Sequence, residues 1–327
     1  MASLTTKWLG LELAHPLMPG ASPLGDELDS IRRLEDAGAS AITLRSLFEE
    51  QLTAERRALA RQLGNEHAAH AWEPEAHDFL VSPEHYLEKI RRAREAVHVP
   101  IIGSLNGDTP GGWLECARLI EQAGAHALEL NLYTLPSDPD RDATSIENEQ
   151  LEIVRSVKEA LKIPVGVKLS PFYSSLPHFA RRLEAEGVAG VVLFNRLYQP
   201  DLDPVSFTLS PMLQLSHPGE LQLRLRWLAI LSARTRLSLA MSGGVADGLG
   251  AVKALMAGAH AVQLVSELLR YGPERIGAIR HGLEQWLDAN GYASVQDVIG
   301  KMNLARVPDP SGYERANYVK LLQTWET

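Results

Sequence analysis

The chain has 327 residues, a formal net charge of −9 at pH 7, 45% hydrophobic residues and one cysteine. This length fits a single α/β barrel with insertions or a tail, and the composition excludes intrinsic disorder as the main state. No apolar run reaches the roughly 18–20 residues that cross a membrane, and a lone cysteine forms neither an internal disulfide nor a thiolate metal site. We therefore expect a cytoplasmic protein without a membrane segment, and its acidity disfavours a nucleic-acid partner.

Short β-rich apolar segments alternate with longer segments of helical spacing along the chain. Eight strands are predicted, at 17–22, 41–46, 100–106, 127–133, 164–170, 190–196, 237–243 and 261–267. Eight helices are predicted, at 27–37, 83–97, 112–123, 148–162, 176–187, 219–234, 248–257 and 274–290. Eight βα units favour an α/β fold of the closed (β/α)8 TIM-barrel type over a doubly wound sheet.

Three stretches exceed this pattern, at 47–81, 197–218 and 304–327. We assign residues 1–303 to the barrel, with excursions at 47–81 and 197–218, and residues 304–327 to a tail packed on it. The two excursions follow strand ends, which form the catalytic face of a barrel, so they are expected to cover a substrate. For 197–218 a contact between two copies in a homodimer is an equal alternative.

Two groups with reactive side chains are interpreted as structural. Cys116 lies in a helical pattern, which predicts packing rather than catalysis. The histidines of the first excursion do not match the HExxH spacing, and Pro74 interrupts the helix that such a site needs, so no metal is expected. These residues are His67, His70 and His77, with Glu73.

Polar residues stand at the carboxyl ends of seven predicted strands. Because these ends meet at one mouth of a barrel, their convergence predicts a functional site there. A purely apolar core has no use for three asparagines and a lysine. The residues are Arg45, Ser46, Asn106, Asn131, Tyr133, Thr134, Lys168, Ser170, Asn195, Arg196, Ser242, Gln263 and Ser266.

The turn after strand seven, Ser242-Gly243-Gly244-Val245, predicts a phosphate site. Two glycines let backbone amides approach an anion, and the following helix adds its positive end. Asp247 is placed to cap that helix. The sequence contains neither GxxxxGK[ST] nor a GxGxxG after the first strand, so the common nucleotide fingerprints are missing.

Lys168 has three interpretations on chemical grounds. A lysine inside a barrel can form a Schiff base, as in a phosphate-binding aldolase. A protonated lysine can instead stabilise negative charge on a reduced flavin ring. The structural alternative is an internal ion pair with Glu129.

The segments HPLMPGAS, ITLRS, IIGSLNG, ELNLY, PVGVKLS, LFNR, SGGV and GAHAVQLVS together resemble the dihydroorotate dehydrogenase family. The resemblance is to its soluble members and their dihydroorotate dehydrogenase-like relatives, and it spans the whole barrel. It implies an FMN-binding barrel that oxidises dihydroorotate, or a related small cyclic carbonyl compound, in pyrimidine biosynthesis. A base removes one hydrogen as a proton while the flavin accepts the other as hydride.

The resemblance also implies roles for individual residues. Lys168 matches the lysine near the N1/O2 edge of the flavin, and Asn195 matches a substrate-contacting asparagine. Asn131 is implied in both cofactor and substrate binding. The implied cofactor-binding residues are Ala21, Ser22, Asn106, Asn131, Lys168, Gly243, Gly244 and Ser266.

Five positions depart from the family pattern, and two of them are Leu135 and Pro136, which stand where the family has proline and asparagine. Thr134 stands where the family places a cysteine or serine base, with Tyr133 as a second proton carrier. Arg45 replaces a lysine, and Val265 replaces a glycine beside the phosphate contact. We take Thr134, Lys168 and Arg45 as the catalytic set, and the departures keep open a flavin-binding protein without dihydroorotate activity.

Overall fold

The computed structural model describes residues 2–48, 83–106, 110–132, 134–196, 199–210 and 214–324. Tyr133 lies outside these residues. So do His67, His70 and His77, the histidines that the sequence analysis interpreted as structural. The strands are β1 (Thr6–Trp8), β2 (Leu11–Leu13), β3 (Leu17–Pro19), β4 (Ile42–Thr43), β5 (Leu47–Phe48), β6 (Ile101–Asn106), β7 (Ala127–Asn131), β8 (Val165–Leu169), β9 (Gly190–Leu193), β10 (Asp201–Asp203), β11 (Thr208–Ser210), β12 (Ser238–Ser242) and β13 (Ala261–Leu264).

Ten helices belong to the same described part of the chain, apart from short 3-10 turns. They are α1 (Leu28–Asp36), α2 (Pro83–Ala96), α3 (Pro110–Gln122), α4 (Ala143–Ala160), α5 (Leu176–Ala185), α6 (Leu221–Ser232), α7 (Gly248–Ala257), α8 (Ser266–Tyr271), α9 (Arg275–Ala289) and α10 (Ala316–Gln323). None of them is long and apolar enough to span a membrane.

The predicted (β/α)8 barrel is confirmed. Eight parallel strands follow one another in the order β3-β13-β12-β9-β8-β7-β6-β4, with β5 continuing the second strand beside β6. The two ends of this row lie side by side, because the hydroxyl of Ser40 donates to the Leu17 carbonyl at 2.7 Å and its backbone N–H donates at 3.2 Å. The polar carboxyl ends of all eight strands therefore meet at one mouth.

A hairpin formed by β1 and β2 closes the opposite end of the barrel. Its two-residue turn has positive φ at both Leu9 (52°) and Gly10 (79°), as hairpins of this length prefer. Trp8 and Leu9 enter the barrel, where a Cβ on Gly190 would stand 2.9 Å from the Trp8 ring. The glycine is thus required by the indole that fills the barrel's lower end.

A five-residue unit, Ala-Gly-Ala-His-Ala, occurs before both β7 and β13. In the first copy the backbone of Ile101 donates to His126 Nδ1 at 2.9 Å, and in the second Leu239 donates to His260 Nδ1 at 3.2 Å. The backbone N–H of each histidine donates in return to the carbonyl of the same residue, at 2.8 and 2.6 Å. The unit therefore joins each strand to its neighbour at the lower rim.

Some element boundaries differ from the predicted ones. Helix α4 begins at Ala143 rather than at 148, because Asp142 caps it by accepting from the Ser145 N–H at 2.8 Å. The last strand ends at Leu264, since Val265 leaves the extended region (φ −131°, ψ −64°) and Ser266 opens α8. The predicted cap by Asp247 is confirmed by a 2.7 Å bond from the Gly250 N–H.

The excursion at 197–218 contains a hairpin that the sequence analysis missed. Strands β10 and β11 pair antiparallel and leave four apolar side chains 63–92% exposed: Leu202, Val205, Phe207 and Leu209. At the other end of the chain, the Leu304 N–H donates to the Ala229 carbonyl, and Tyr313 packs against the core. Helix α10 follows these contacts.

Candidate active site

The interior of the barrel changes from apolar to polar along the barrel axis. Alternate residues of a strand face inward, and the inward positions near the hairpin are apolar. Two residues further along, the position is polar on five of the strands that contribute to the lower layer, whereas Met18 and Val192 are followed by Gly20 and Phe194. The lower layer contains Met18, Ala41, Ile102, Ala127, Val192, Ala240 and Ala261, and the upper layer Thr43, Ser104, Glu129, Asn131, Lys168, Ser242 and Gln263.

Three side chains of the upper layer form a buried triad. Lys168 Nζ on β8 donates to Glu129 Oε1 on β7 at 3.3 Å and to Gln263 Oε1 on β13 at 2.9 Å. Gln263 Nε2 donates to the other carboxylate oxygen of Glu129. All three residues are at most 5% exposed. The ion pair with Glu129, one of the three predicted interpretations of Lys168, is present.

Beside the triad, Asn131 organises a second polar group. Its Nδ2 donates to Ser104 Oγ at 2.9 Å, to Ser46 Oγ at 3.2 Å and to the Leu105 carbonyl at 3.2 Å. These bonds leave Asn131 Oδ1 as an acceptor at the end of β7. The side chain can therefore receive a hydrogen bond from an N–H group bound at the mouth.

Two hydroxyls of this region are orphaned. Ser22 Oγ and Thr43 Oγ1 are buried and have no hydrogen-bond partner among the described residues. A buried polar atom left unsatisfied costs about 1–3 kcal/mol. Ser22 follows β3 at the mouth, so a polar ligand seated there would satisfy a group that the protein does not.

The phosphate loop predicted after β12 has the necessary backbone. Gly243 and Gly244 have φ of 88° and 85°, and a Cβ on Gly244 would stand 2.8 Å from the Leu221 nitrogen. Ser216, which the sequence analysis missed, accepts from the Gly244 N–H at 3.3 Å. Its own N–H and hydroxyl both donate to Ser266 Oγ at 2.8 Å. The loops after β9, β12 and β13 therefore meet around small polar groups that suit a phosphate.

Arg224 forms a hydrogen bond to the backbone of this loop. Arg224 on α6 donates to the carbonyls of Ser242 and Glu220, and its side chain is only 7% exposed. Arg196 donates to both carboxylate oxygens of Glu220, at 2.9 and 3.1 Å. Burial alone would raise the pKa of Glu220, but Arg196 and Arg224 outweigh it and hold that pKa below its usual value.

Thr134 lies on the loop after β7, exposed, with its hydroxyl in a short chain of hydrogen bonds. Gln150 Nε2 on α4 donates to Thr134 Oγ1 at 3.2 Å, and the Tyr173 hydroxyl donates to Gln150 Oε1 at 3.1 Å. Burial raises the pKa of Tyr173, so this hydroxyl remains a donor. The chain of donors would stabilise negative charge on the threonine oxygen.

Residues 80–287, more than half of the chain, match the family model described as dihydroorotate dehydrogenase. The chain belongs to the dihydroorotate dehydrogenase family. It is therefore an oxidoreductase, and the family expected from the sequence is confirmed. Members of this family are in general flavoenzymes.

Several relatives in the family extend over most of this chain. A dihydroorotate dehydrogenase B (NAD(+)), catalytic subunit, of Thermoplasma volcanium is 25% identical over 322 residues, which cover 92% of this chain and 98% of the relative. The protein of the same name from Methanothermobacter thermautotrophicus is 26% identical, covering 91% and 97%. That of Pyrococcus abyssi is 31% identical over 229 residues, 66% of this chain and 73% of the relative.

Arg45, one of the predicted catalytic residues, is paired with a carboxylate outside the strand ends. Arg45 Nη1 donates to Asp26 Oδ2 at 2.7 Å, and the buried Lys89 on α2 donates to Asp26 Oδ1 at 3.3 Å. One carboxylate therefore holds two cations. Asp26 and Lys89 were missed by sequence reasoning, because neither stands at the end of a strand.

Three further predicted residues lie around the mouth, and no side-chain hydrogen bond to another described residue fixes their role. Ala21 and Asn106 are half-buried at the ends of the first and third barrel strands. Asn195 lines a cavity of about 250 Å³ with Phe172, Phe194 and Arg196. The predicted packing role of Cys116 is confirmed, since it is fully buried among the apolar residues around α3.

Proposed function

We propose that the protein is an FMN-dependent oxidoreductase that oxidises dihydroorotate or a related small cyclic carbonyl compound. The observation that carries this proposal is the polar upper layer of a family barrel, with a buried cation in its centre and a two-glycine loop at its edge. A bound flavin would need both features, one for its ring and one for its phosphate.

The described residues fit FMN. Gly243, Gly244 and Ser266 would hold the phosphate, with Ser216 as an additional hydroxyl. Ala21, Ser22, Asn106, Asn131 and Lys168 would contact the ring, and the orphaned hydroxyl of Ser22 supports this assignment. When bound, FMN supplies an acceptor for hydride at N5.

In this proposal the chain's residues bind the substrate and remove a proton. Asn131 and Asn195 orient the substrate carbonyls, and Arg45 offers positive charge for an anionic substituent. Thr134 Oγ1 takes the proton from carbon as its own hydroxyl proton passes to water, and the Gln150 N–H stabilises the negative charge that the departing proton leaves on Oγ1. Because Thr134 is exposed, the proton can leave to solvent.

The proposal is tested on the purified protein by its visible spectrum, before and after reconstitution with FMN. We expect a yellow protein whose flavin absorbance is bleached by dihydroorotate in an anaerobic single turnover. Thr134→Ala should retain FMN and lose bleaching, whereas Thr134→Ser should keep it. A colourless protein that cannot retain FMN would contradict the cofactor assignment.

A flavin-binding protein without dihydroorotate activity is the second candidate. This candidate is favoured because the hydrogen-bond partner of Thr134 is the amide of Gln150, and not an imidazole or a carboxylate that could act as a base. FMN retained without bleaching by dihydroorotate, together with no reduction by a broad panel of cyclic carbonyl compounds, would select it. The aldolase alternative loses support, because Lys168 is held as an ammonium by Glu129 rather than as a free amine.

We also propose that the protein acts in the cytoplasm as a homodimer joined through the β10–β11 hairpin. Exposed Leu202, Phe207 and Leu209 form an apolar face that a second copy would cover. Light scattering should give twice the mass of one chain, and Phe207→Ser with Leu209→Ser should give a monomer. An unchanged mass in this double variant would exclude the hairpin as the contact.

A further inference from the structure

The triad of Lys168, Glu129 and Gln263 has an effect on the cofactor that goes beyond holding a lysine. We propose that Glu129 is a positioning residue that lowers the reduction potential of the bound flavin, by fixing Lys168 and neutralising part of its charge. This inference rests on the proposed binding of FMN.

The hydrogen bonds of the triad admit a single arrangement. Gln263 Oε1 accepts a hydrogen bond from Lys168 Nζ, and Gln263 Nε2 donates a hydrogen bond to Glu129. If the amide were flipped, its NH2 group would face the ammonium and its oxygen would face the carboxylate. The pair of charges therefore fixes the orientation of Gln263, and Gln263 fixes the position of Lys168.

Lys168 retains one donor for a ligand. An ammonium group has three N–H donors, and the described residues accept two of them, through Glu129 and Gln263. The lysine lies next to Asn131 in strand register, near the carboxyl ends of β7 and β8. The third N–H is therefore available to the flavin edge that the family resemblance assigns to this lysine.

The charges of the triad act in opposite directions on that edge. A reduced flavin gains electron density, which an ammonium stabilises and a carboxylate opposes. Both charges are buried, so solvent screens neither of them effectively. Since Glu129 lies 3.3 Å from Nζ, it cancels much of the attraction that an unpaired lysine would exert.

The test is a redox titration of the FMN-loaded protein and five variants. Glu129→Gln should raise the midpoint potential by about 30 mV or more, a tenfold change for a two-electron couple. Lys168→Met should lower it by a similar amount, and Glu129→Asp should stay close to the wild-type value. Glu186→Gln is the matched control, because it removes a carboxylate paired with Arg155 on the outer helices and should leave the potential unchanged.

Gln263→Glu gives up the hydrogen bond that Nε2 donates to Glu129 and adds a second carboxylate beside Lys168, so it should lower the potential. It keeps the proposal falsifiable if Glu129→Gln does not fold. FMN bound normally with an unchanged potential in both variants would overturn this inference and leave the proposed function standing. A wild-type protein that binds no FMN would remove both.

Discussion

The two layers of the barrel interior lie on the same strands but differ in the polarity of their side chains. The lower layer is closed by Trp8 and consists of small and apolar side chains without charge. The upper layer holds an ion pair, an asparagine cluster and two unsatisfied hydroxyls. An apolar and a polar end thus follow each other along the strand axis within a few residues, and the proposed ligand would bind at the polar end.

This separation has an energetic cause. Apolar packing at the lower end can be complete, because nothing has to enter there. At the upper end each polar group must be desolvated, and those without a protein partner raise the free energy of the folded state until a ligand is bound. Substitutions in the lower layer should therefore affect folding, and those in the upper layer should affect ligands.

The largest expected effect is on stability in the lower layer. Trp8→Ala removes a fully buried indole and should lower the free energy of unfolding by about 3–5 kcal/mol, measured by urea denaturation. Trp286→Ala, at a half-buried indole on α9, should cost clearly less. The separation of layers would be wrong if folded Trp8→Ala protein bound FMN ten times more weakly than the wild type.

The buried histidine at the lower rim of the barrel should also lower the stability of the protein at acidic pH. Burial lowers the pKa of His15 to about 4 and the nearby charge of Arg280 lowers it further, whereas the hydrogen bond between Nε2 and the Gly38 carbonyl opposes this shift. Between pH 6.5 and about 4 the unfolded chain binds the proton and the folded chain does not, so stability falls as the pH falls. The loss for this residue is about 3 kcal/mol.

Urea denaturation at pH 7 and pH 4.5 would measure this loss. His15→Gln should be less stable at pH 7 but should lose less stability on acidification than the wild type. Equal losses in both proteins would show that other groups dominate the acid response. Burial also lowers the pKa of His126 and of His260, which adds to the loss in the same direction.

A smaller effect is expected at the edge of the upper layer. Gly244→Ala forces a side chain into a backbone with φ of 85° and against Leu221, so FMN should bind at least about tenfold more weakly, a cost of about 1.4 kcal/mol. Gly291→Ala has a similar φ of 71° with open space around it, far from the mouth. Fluorescence titration that found equal FMN affinity for both variants would exclude a special role for Gly244.

The smallest effect is expected from substitution of Gln150, whose Nε2 donates a hydrogen bond to Thr134. Gln150→Met keeps the length of the side chain and removes one hydrogen bond, so flavin bleaching by dihydroorotate should slow about fivefold, about 1 kcal/mol. Tyr173→Phe leaves the contact between Gln150 and Thr134 in place and should slow bleaching less. Bleaching that is unchanged in Gln150→Met would show that this donor does not support the reaction.

The sequence was sufficient to predict the barrel, because its eight strands are nearly continuous apolar runs that end in polar residues. The ion pair of Lys168 with Glu129 was one of three interpretations that the sequence left open, and it could be considered because β7 and β8 follow each other along the chain and neighbour each other in the barrel. The sequence did not predict that Gln263 closes the triad, because that contact crosses the barrel interior.

Other parts of the site were missed for a related reason. Ser216, Gln150 and Asp26 lie on loops and helices, where a polar residue is unremarkable, and their roles arise from long-range contacts. The hairpin at 201–210 was missed because Asp203 and its neighbours predict a polar loop as readily as short strands. The roles of Thr134, Arg45 and the cofactor-binding residues remain predictions.

The repeated Ala-Gly-Ala-His-Ala unit has a consequence for how the barrel holds together. Its copies precede β7 and β13, the fourth and eighth strands of the barrel, which face each other across the diameter. Each histidine ties its strand to the preceding one, within one half-barrel of four strands. The same histidine connection between neighbouring strands is thus made at two diametrically opposite points of the ring, once in each half-barrel.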